Sequence, residues 1–278
     1  MNYYIIPKNN VNFNINLQFS NEILFPYINS SVSLYRDNLS NYLKELKDLN
    51  KGDNDNHSDN NDINIDYITQ SLNPYQFLYV NVPGTQMKIS KINADSIIFF
   101  ELIDIFKSFY INDVLKCGNI KVANLSPNYL SINSFLNIMC EINKDDIVAD
   151  DFNSNSLLNK FIKNNDVNYG FNIMICEFNE NDNNNYIKNM LLSLILILKY
   201  QVNEGISIIK VDDIMHKPVI DIIYILSCIY DKVYITRPTI SNITNNRRFI
   251  VCKGFKYNNS SDLNITYITD ILSNSLLN

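Results

Sequence analysis

Tryptophan is absent from the chain, and only 6 glycines, 7 prolines and 2 histidines occur among its 278 residues. Glycine and proline this scarce exclude a collagen-like or low-complexity polymer. The two histidines, His57 and His216, lie in an Asn/Asp-rich tract and in a polar turn, so neither a zinc site nor a Ser-His-Asp triad can be built around a pair, and no metal is expected. Cysteines number 5, at positions 117, 140, 176, 228 and 252. An odd count, widely spread and without a CxxC pair, argues against a disulfide framework and for reduced core residues. Long apolar runs are missing too: the longest, 190–200, falls far short of the ~20 residues a spanning helix needs. Residues 1–8 lack a basic segment followed by a long apolar one, so no secretory leader is read there. The expectation is a soluble, cytoplasmic protein. Finally, there is no excess of basic charge. Lys+Arg 23 against Asp+Glu 29 gives a formal net charge of −6, which excludes a globally basic nucleic-acid coat and leaves room for a local basic groove.

What is present is apolar sequence in abundance, 46% of the chain, enough to bury a sizeable core. The bias toward Asn, Ile, Lys and Tyr reads as the drift of an AT-rich genome. Residues 3–6 and 11–15 alternate as extended pieces, and 37–49 takes a helical spacing, with Leu39, Tyr42, Leu43, Leu46 and Leu49 on one face. The Asn/Asp tract 50–64 has almost nothing to bury and is expected to be a mobile surface insertion. This organisation predicts an N-terminal extension over 1–74, carrying the 37–49 helix and the 50–64 insertion, followed by one large domain over 75–278.

From residue 75 onward short apolar runs alternate with longer helical ones. The strand candidates are 76–82, 96–102, 120–125, 172–176, 206–211, 232–236 and 248–252; the helix candidates are 186–200 and 218–230. Continuous apolar strands separated by helices predict a mainly parallel sheet covered on both faces, and the last two strands, joined by a loop, predict an antiparallel finish. The expected fold class is α/β, doubly wound. In such a sheet ligands bind at the carboxyl ends of the strands. That directs attention to the turn Asn81, Val82, Pro83, Gly84 and Thr85, to Glu177, to Lys210 and to the loop 237–247.

Residues 203–255 carry, in order, a Gly before a strand ending in Lys210, a helix, a strand ending in aromatic, basic and Pro residues, a Ser-containing loop, and a strand followed by Gly254 and Phe255. This series resembles the end of the FtsJ/RrmJ-type RNA 2′-O-methyltransferases, especially their mRNA-cap branch. Upstream, 77–85 resembles the family's cofactor loop, Tyr42-Leu43-Lys44 the helix preceding it, and 172–177 the strand that carries an acidic residue. The chain is also similar in length to the small capping-enzyme subunits of poxviruses. The resemblance implies a Rossmann-like methyltransferase sheet with helices on both faces, S-adenosylmethionine as cofactor, and Asn81, Pro83, Gly84 and Thr85 as cofactor-binding residues.

It also implies a catalytic Lys-Asp-Lys-Glu tetrad, whose positions fall on Lys44, Glu177, Lys210 and Arg247. Two of these depart from the family. Glu177 is one methylene longer than Asp, about 1.5 Å of extra reach where a misplacement of about 1 Å can cost roughly a hundredfold in rate. Arg247 puts a fixed positive charge where the family has an acid, and a cationic site suits phosphate better than it tunes a lysine amine toward neutrality. The 81–85 loop also lacks the several glycines that let a backbone approach the cofactor closely. The resulting expectation is a methyltransferase-fold protein of mRNA cap formation with weak or no catalysis of its own, supporting a capping complex in the cytoplasm, the host's if viral. Its partners would be capped RNA or a catalytic capping subunit. An active cap 2′-O-methyltransferase is the alternative, and a nucleotide-binding α/β protein of unrelated chemistry lies outside the family.

Overall fold

A computed structural model describes residues 2–8, 41–42, 45, 97–99, 101–103, 120–127, 129–139, 142, 144–150, 170–177, 183–211, 214, 216–239, 241 and 247–256. Seven strands among them form one sheet. In chain order they are β1 (Asn2–Ile5), β2 (Val122–Leu125), β3 (Ile147–Asp150), β4 (Phe171–Cys176), β5 (Gln201–Val211), β6 (Tyr230–Arg237) and β7 (Arg248–Phe255). Three helices connect them: α1 (Tyr129–Met139), α2 (Asn183–Tyr200) and α3 (Lys217–Ile229).

The spatial order is β1-β6-β7-β5-β4-β2-β3. Strands β2, β3, β4 and β5 pair in parallel. β7 runs antiparallel to both β5 and β6, and β1 closes the series antiparallel to β6. From β2 the chain steps to one side through α1 to β3, then returns across β2 to β4 and steps the other way through α2 to β5. Because such crossovers are right-handed, opposite steps put their helices on opposite faces. The buried clusters bear this out. Ile132 and Leu136 of α1 join Val122, Ile173, Ile175, Ile206, Ile208, Phe249 and Val251 on one face, while α2 and α3 join Ala123, Met174, Ile209, Ile250 and Cys252 on the other. The chain is therefore a doubly wound, mainly parallel, Rossmann-like α/β protein with the expected antiparallel finish.

The helices follow from their sequences. Residues 192–198 of α2 are all buried, because this helix packs on β4 and β5 and against α3 beside it. α3 is amphipathic: Val219, Ile222, Ile223, Leu226 and Ile229 are buried, and Lys217, Ile220, Asp221 and Tyr224 face outward. Gly254, at φ 69°, adopts a backbone that disfavours side chains. Beyond it Phe255 turns into the α2/α3 core against the Tyr230 ring, 5.3 Å between centroids.

The strand candidate at 96–102 is corrected. Its described residues, 97–99 and 101–103, are helical. A short, continuous apolar run has no decisive period; here Ile98 with Leu102, and Phe99 with Ile103, stand four apart and all are buried, which is helical spacing. The candidate strand 76–82, the extended piece 11–15, the 50–64 insertion and the boundary at 74/75 lie outside the described residues. Of the 37–49 helix, residues 41, 42 and 45 are described, and they are helical.

Candidate functional site at the carboxyl edge

The direction of winding reverses between β2 and β4, where the doubly wound fold opens its ligand crevice beyond the carboxyl ends of the strands. Leu125 pairs with Cys176 there, and the next amide, that of Glu177, donates to the Leu125 carbonyl at 2.8 Å. Cys176 in turn pairs with Ile209 of β5, and Lys210 of β5 pairs with Phe249 of β7. Glu177, Lys210 and Arg247 thus stand at the ends of three neighbouring strands.

Strand alternation gives their faces. Ile173, Ile175, Ile208 and Phe249 belong to the α1 face; with a period of two, Glu177, Lys210 and Arg247 fall on that same face. Arg247 Nη2 donates to Glu177 Oε1, and the two side chains are only 12% and 5% exposed. The guanidinium also lies over the Phe249 ring, 5.4 Å from its centroid, and Phe99 from the 97–103 helix meets that ring edge-on at 5.7 Å. Three of the four expected tetrad positions are accordingly at one edge and on one face, and two of them neutralise each other. Lys44 is outside the described residues.

A buried carboxylate committed to a guanidinium has its charge satisfied at short range. It is less available to tune a neighbouring lysine. The pair holds both side chains in position at the strand ends.

The turn following β2 is the second part of the site. It begins with Ser126 and Pro127, and no glycine stands in the sequence between β2 and the start of α1 at Tyr129. Its polar groups are turned inward. Buried Asn124 donates through Nδ2 to Asn133 Oδ1 at 2.6 Å and to the Tyr129 carbonyl at 3.3 Å, and accepts at Oδ1 from Ser126 Oγ at 2.9 Å. Where nucleotide-binding sheets use a glycine-rich turn to bring backbone amides to a ligand, this chain ties the turn to its own helix. The neighbouring β3 ends at Asp150, in register with Leu125.

The loop after β6 is fixed from the same side. Glu101 accepts from Thr239 N at 2.9 and 3.0 Å and from Thr239 Oγ1 at 2.7 Å. Cys176, at the base of the crevice, is a spectator: burial pushes its thiol up to about 12, against a smaller opposing hydrogen bond with Ser193. It is a free, buried cysteine, as are Cys228 and Cys252, in keeping with the reduced-core expectation for these three.

The cofactor residues expected at Asn81, Pro83, Gly84 and Thr85 lie outside the described residues. What the sequence reading missed is Asn124 and Ser126, within a stretch that carried no motif. The available signal was the apolar run ending at Leu125.

No family model matches the chain, and no curated protein matches it. Among solved structures, human methyltransferase-like protein 13, in complex with SAH, superposes with a TM-score of 0.28 at 9% sequence identity, over 56% of this chain and 70% of that one. A TM-score so low carries no argument about this chain, and the fold rests on its own strand order.

Proposed function

We propose that this chain is a methyltransferase-fold protein of mRNA cap formation, with weak or no catalysis of its own, that acts as a supporting subunit of a capping complex. The observation that carries the reading is the buried Glu177–Arg247 ion pair. In the family that the sequence resembles, both positions are acids serving a central lysine, the place Lys210 holds here. An acid already neutralised by an arginine leaves that lysine without the field that would tune its amine toward a ribose hydroxyl. The glycine-free turn after β2, closed on Asn124 and Asn133, supports the same reading from the cofactor side.

Glu177, Lys210 and Arg247 at one edge and on one face favour a second reading, an active S-adenosylmethionine-dependent cap 2′-O-methyltransferase with an altered tetrad. Calorimetric titration with S-adenosylmethionine, beside co-purification from the native host, separates the two. The supporting role predicts weak or absent cofactor binding and recovery with a capping-enzyme catalytic subunit. Tight cofactor binding by a protein recovered as a lone monomer overturns it.

A further inference from the structure

Two arginines end neighbouring strands on the face opposite the ion pair. Arg237 closes β6 and Arg248 opens β7, and because Thr236 pairs with Phe249, the next residues out, Arg237 and Arg248, stand side by side. Their faces follow from alternation. Ile235 and Ile250 pack with the α2/α3 core, so Arg237 and Arg248 share that side of the sheet. Both are partly buried. Burial, and then repulsion from Arg248, lowers the Arg237 pKa from its usual value, as expected of two guanidinium groups held close together.

Beside them runs β1. Tyr4 pairs with Ile235 and therefore shares the arginines' face, one diagonal step from Arg237, about 7–8 Å away in a typical sheet. Its ring is 74% exposed, an unusual outlay for a tyrosine in a strand. Lys217, exposed in the first turn of α3, enters from the same carboxyl edge, since α3 starts just after β5 ends. Clustered cations beside an exposed aromatic ring form the combination that holds single-stranded nucleic acid, with guanidinium groups on phosphates and the ring under a base. On a chain of net charge −6, such a cluster is a local departure from the overall field and repels other acidic surfaces less than the rest of the protein does.

We propose that Tyr4, Arg237 and Arg248 form a binding surface for single-stranded RNA at the β1-β6-β7 edge, separate from the Glu177–Lys210–Arg247 crevice. This deepens the supporting role and rests on it for the choice of RNA as the polymer; the surface itself follows from charge and exposure. The arginines set the salt dependence, and the tyrosine contributes stacking that salt does not screen.

The test is fluorescence anisotropy of the full chain with a labelled single-stranded RNA 12-mer across a salt series. With each phosphate contact contributing about −0.7 to the slope of log affinity against log salt, two arginines predict a slope near −1.4 for wild type. Arg237→Ala and Arg248→Ala should each make it shallower by about 0.7. Tyr4→Ala should weaken binding roughly fivefold or more with the slope unchanged, and its thermal unfolding should match wild type because the ring is exposed. Lys144→Ala, an exposed lysine just before β3 at the far end of the sheet, should bind as wild type. No salt-dependent binding by wild type overturns the surface, as does loss of binding in Lys144→Ala with the arginine variants unaffected, or equal affinity for a duplex of the same length. None of these outcomes bears on methyl transfer, so the surface and the supporting role fail independently.

Discussion

The two ends of the sheet bury polar groups in different ways. At the amino end the cluster is neutral: Ser207 Oγ lies 2.6 Å from Gln201 Oε1 and 2.7 Å from Tyr230 OH, and Gln201 Nε2 donates to the Phe171 and Asn172 carbonyls at 3.0 and 3.1 Å. It fastens the start of β5 to β4 across the irregularity between Phe171 and Ile173, and Gly205 must lack a side chain because a Cβ there would stand 1.9 Å from Gln201 Nε2. At the carboxyl end the buried pair is ionic, Glu177 with Arg247. A neutral network stabilises modestly and fixes geometry, whereas a buried ion pair adds little net stability yet is costly to break. The neutral cluster is what a fold needs to hold its register. The charged pair instead holds Glu177 and Arg247 against each other at the edge where folds of this class take ligands.

That contrast can be broken by substitution. Arg247→Met alone or Glu177→Met alone should cost about 3–5 kcal/mol, because each strands a buried charge, while the double change Glu177→Met with Arg247→Met should cost far less. Chemical denaturation of the two singles and the double measures the coupling; a single variant as stable as wild type would remove the buried-pair account.

Lys253 sharpens the comparison, as a cation only 1% exposed, with its ammonium 5.9 Å from the Tyr234 ring centroid. Burial, and then the neighbouring charge of Lys232, depresses its pKa to about 8. Between pH 8 and 10.5 the unfolded chain holds the proton that the folded chain has lost, so stability contributed by this group rises with pH across that window. Below pH 8 both states are protonated and the folded one carries the full burial cost. Lys253→Met should therefore stabilise by a few kcal/mol at most below pH 8, and the gain should shrink toward pH 10.5. Melting curves of both proteins from pH 6 to 10.5 check this; a gain independent of pH would contradict it.

A smaller effect is expected at the neutral cluster. Ser207→Ala should cost about 1–3 kcal/mol by leaving Gln201 and Tyr230 to satisfy each other across the 3.4 Å that now separates them, read from the shift in the denaturation midpoint.

The legible parts of the sequence were those where burial on both faces forces continuous β-branched runs. β4 through β7 and the helices between them could be read for this reason, and with them the antiparallel finish, since the stretch between 237 and 248 is shorter than the dozen or more residues of a parallel crossover. The 97–103 helix could not be told from a strand, because an apolar run of that length satisfies both periods. The turn after β2 was silent for a different reason. No glycine there marks a ligand-binding turn, and the tie from Ser126 through Asn124 to Asn133 of α1 forms only when the fold brings them near. Glu177 and Arg247 are 70 residues apart; the resemblance put both at one edge, and the fold showed that they meet.

On the proposed supporting role, the Glu177–Arg247 pair goes with weak or absent methyl transfer at Lys210. Methyl transfer from S-adenosylmethionine to capped RNA, measured for wild type and Lys210→Ala side by side, tests it most directly. The account predicts transfer at or near background for wild type and no further loss in Lys210→Ala; robust wild-type transfer abolished by Lys210→Ala would contradict it.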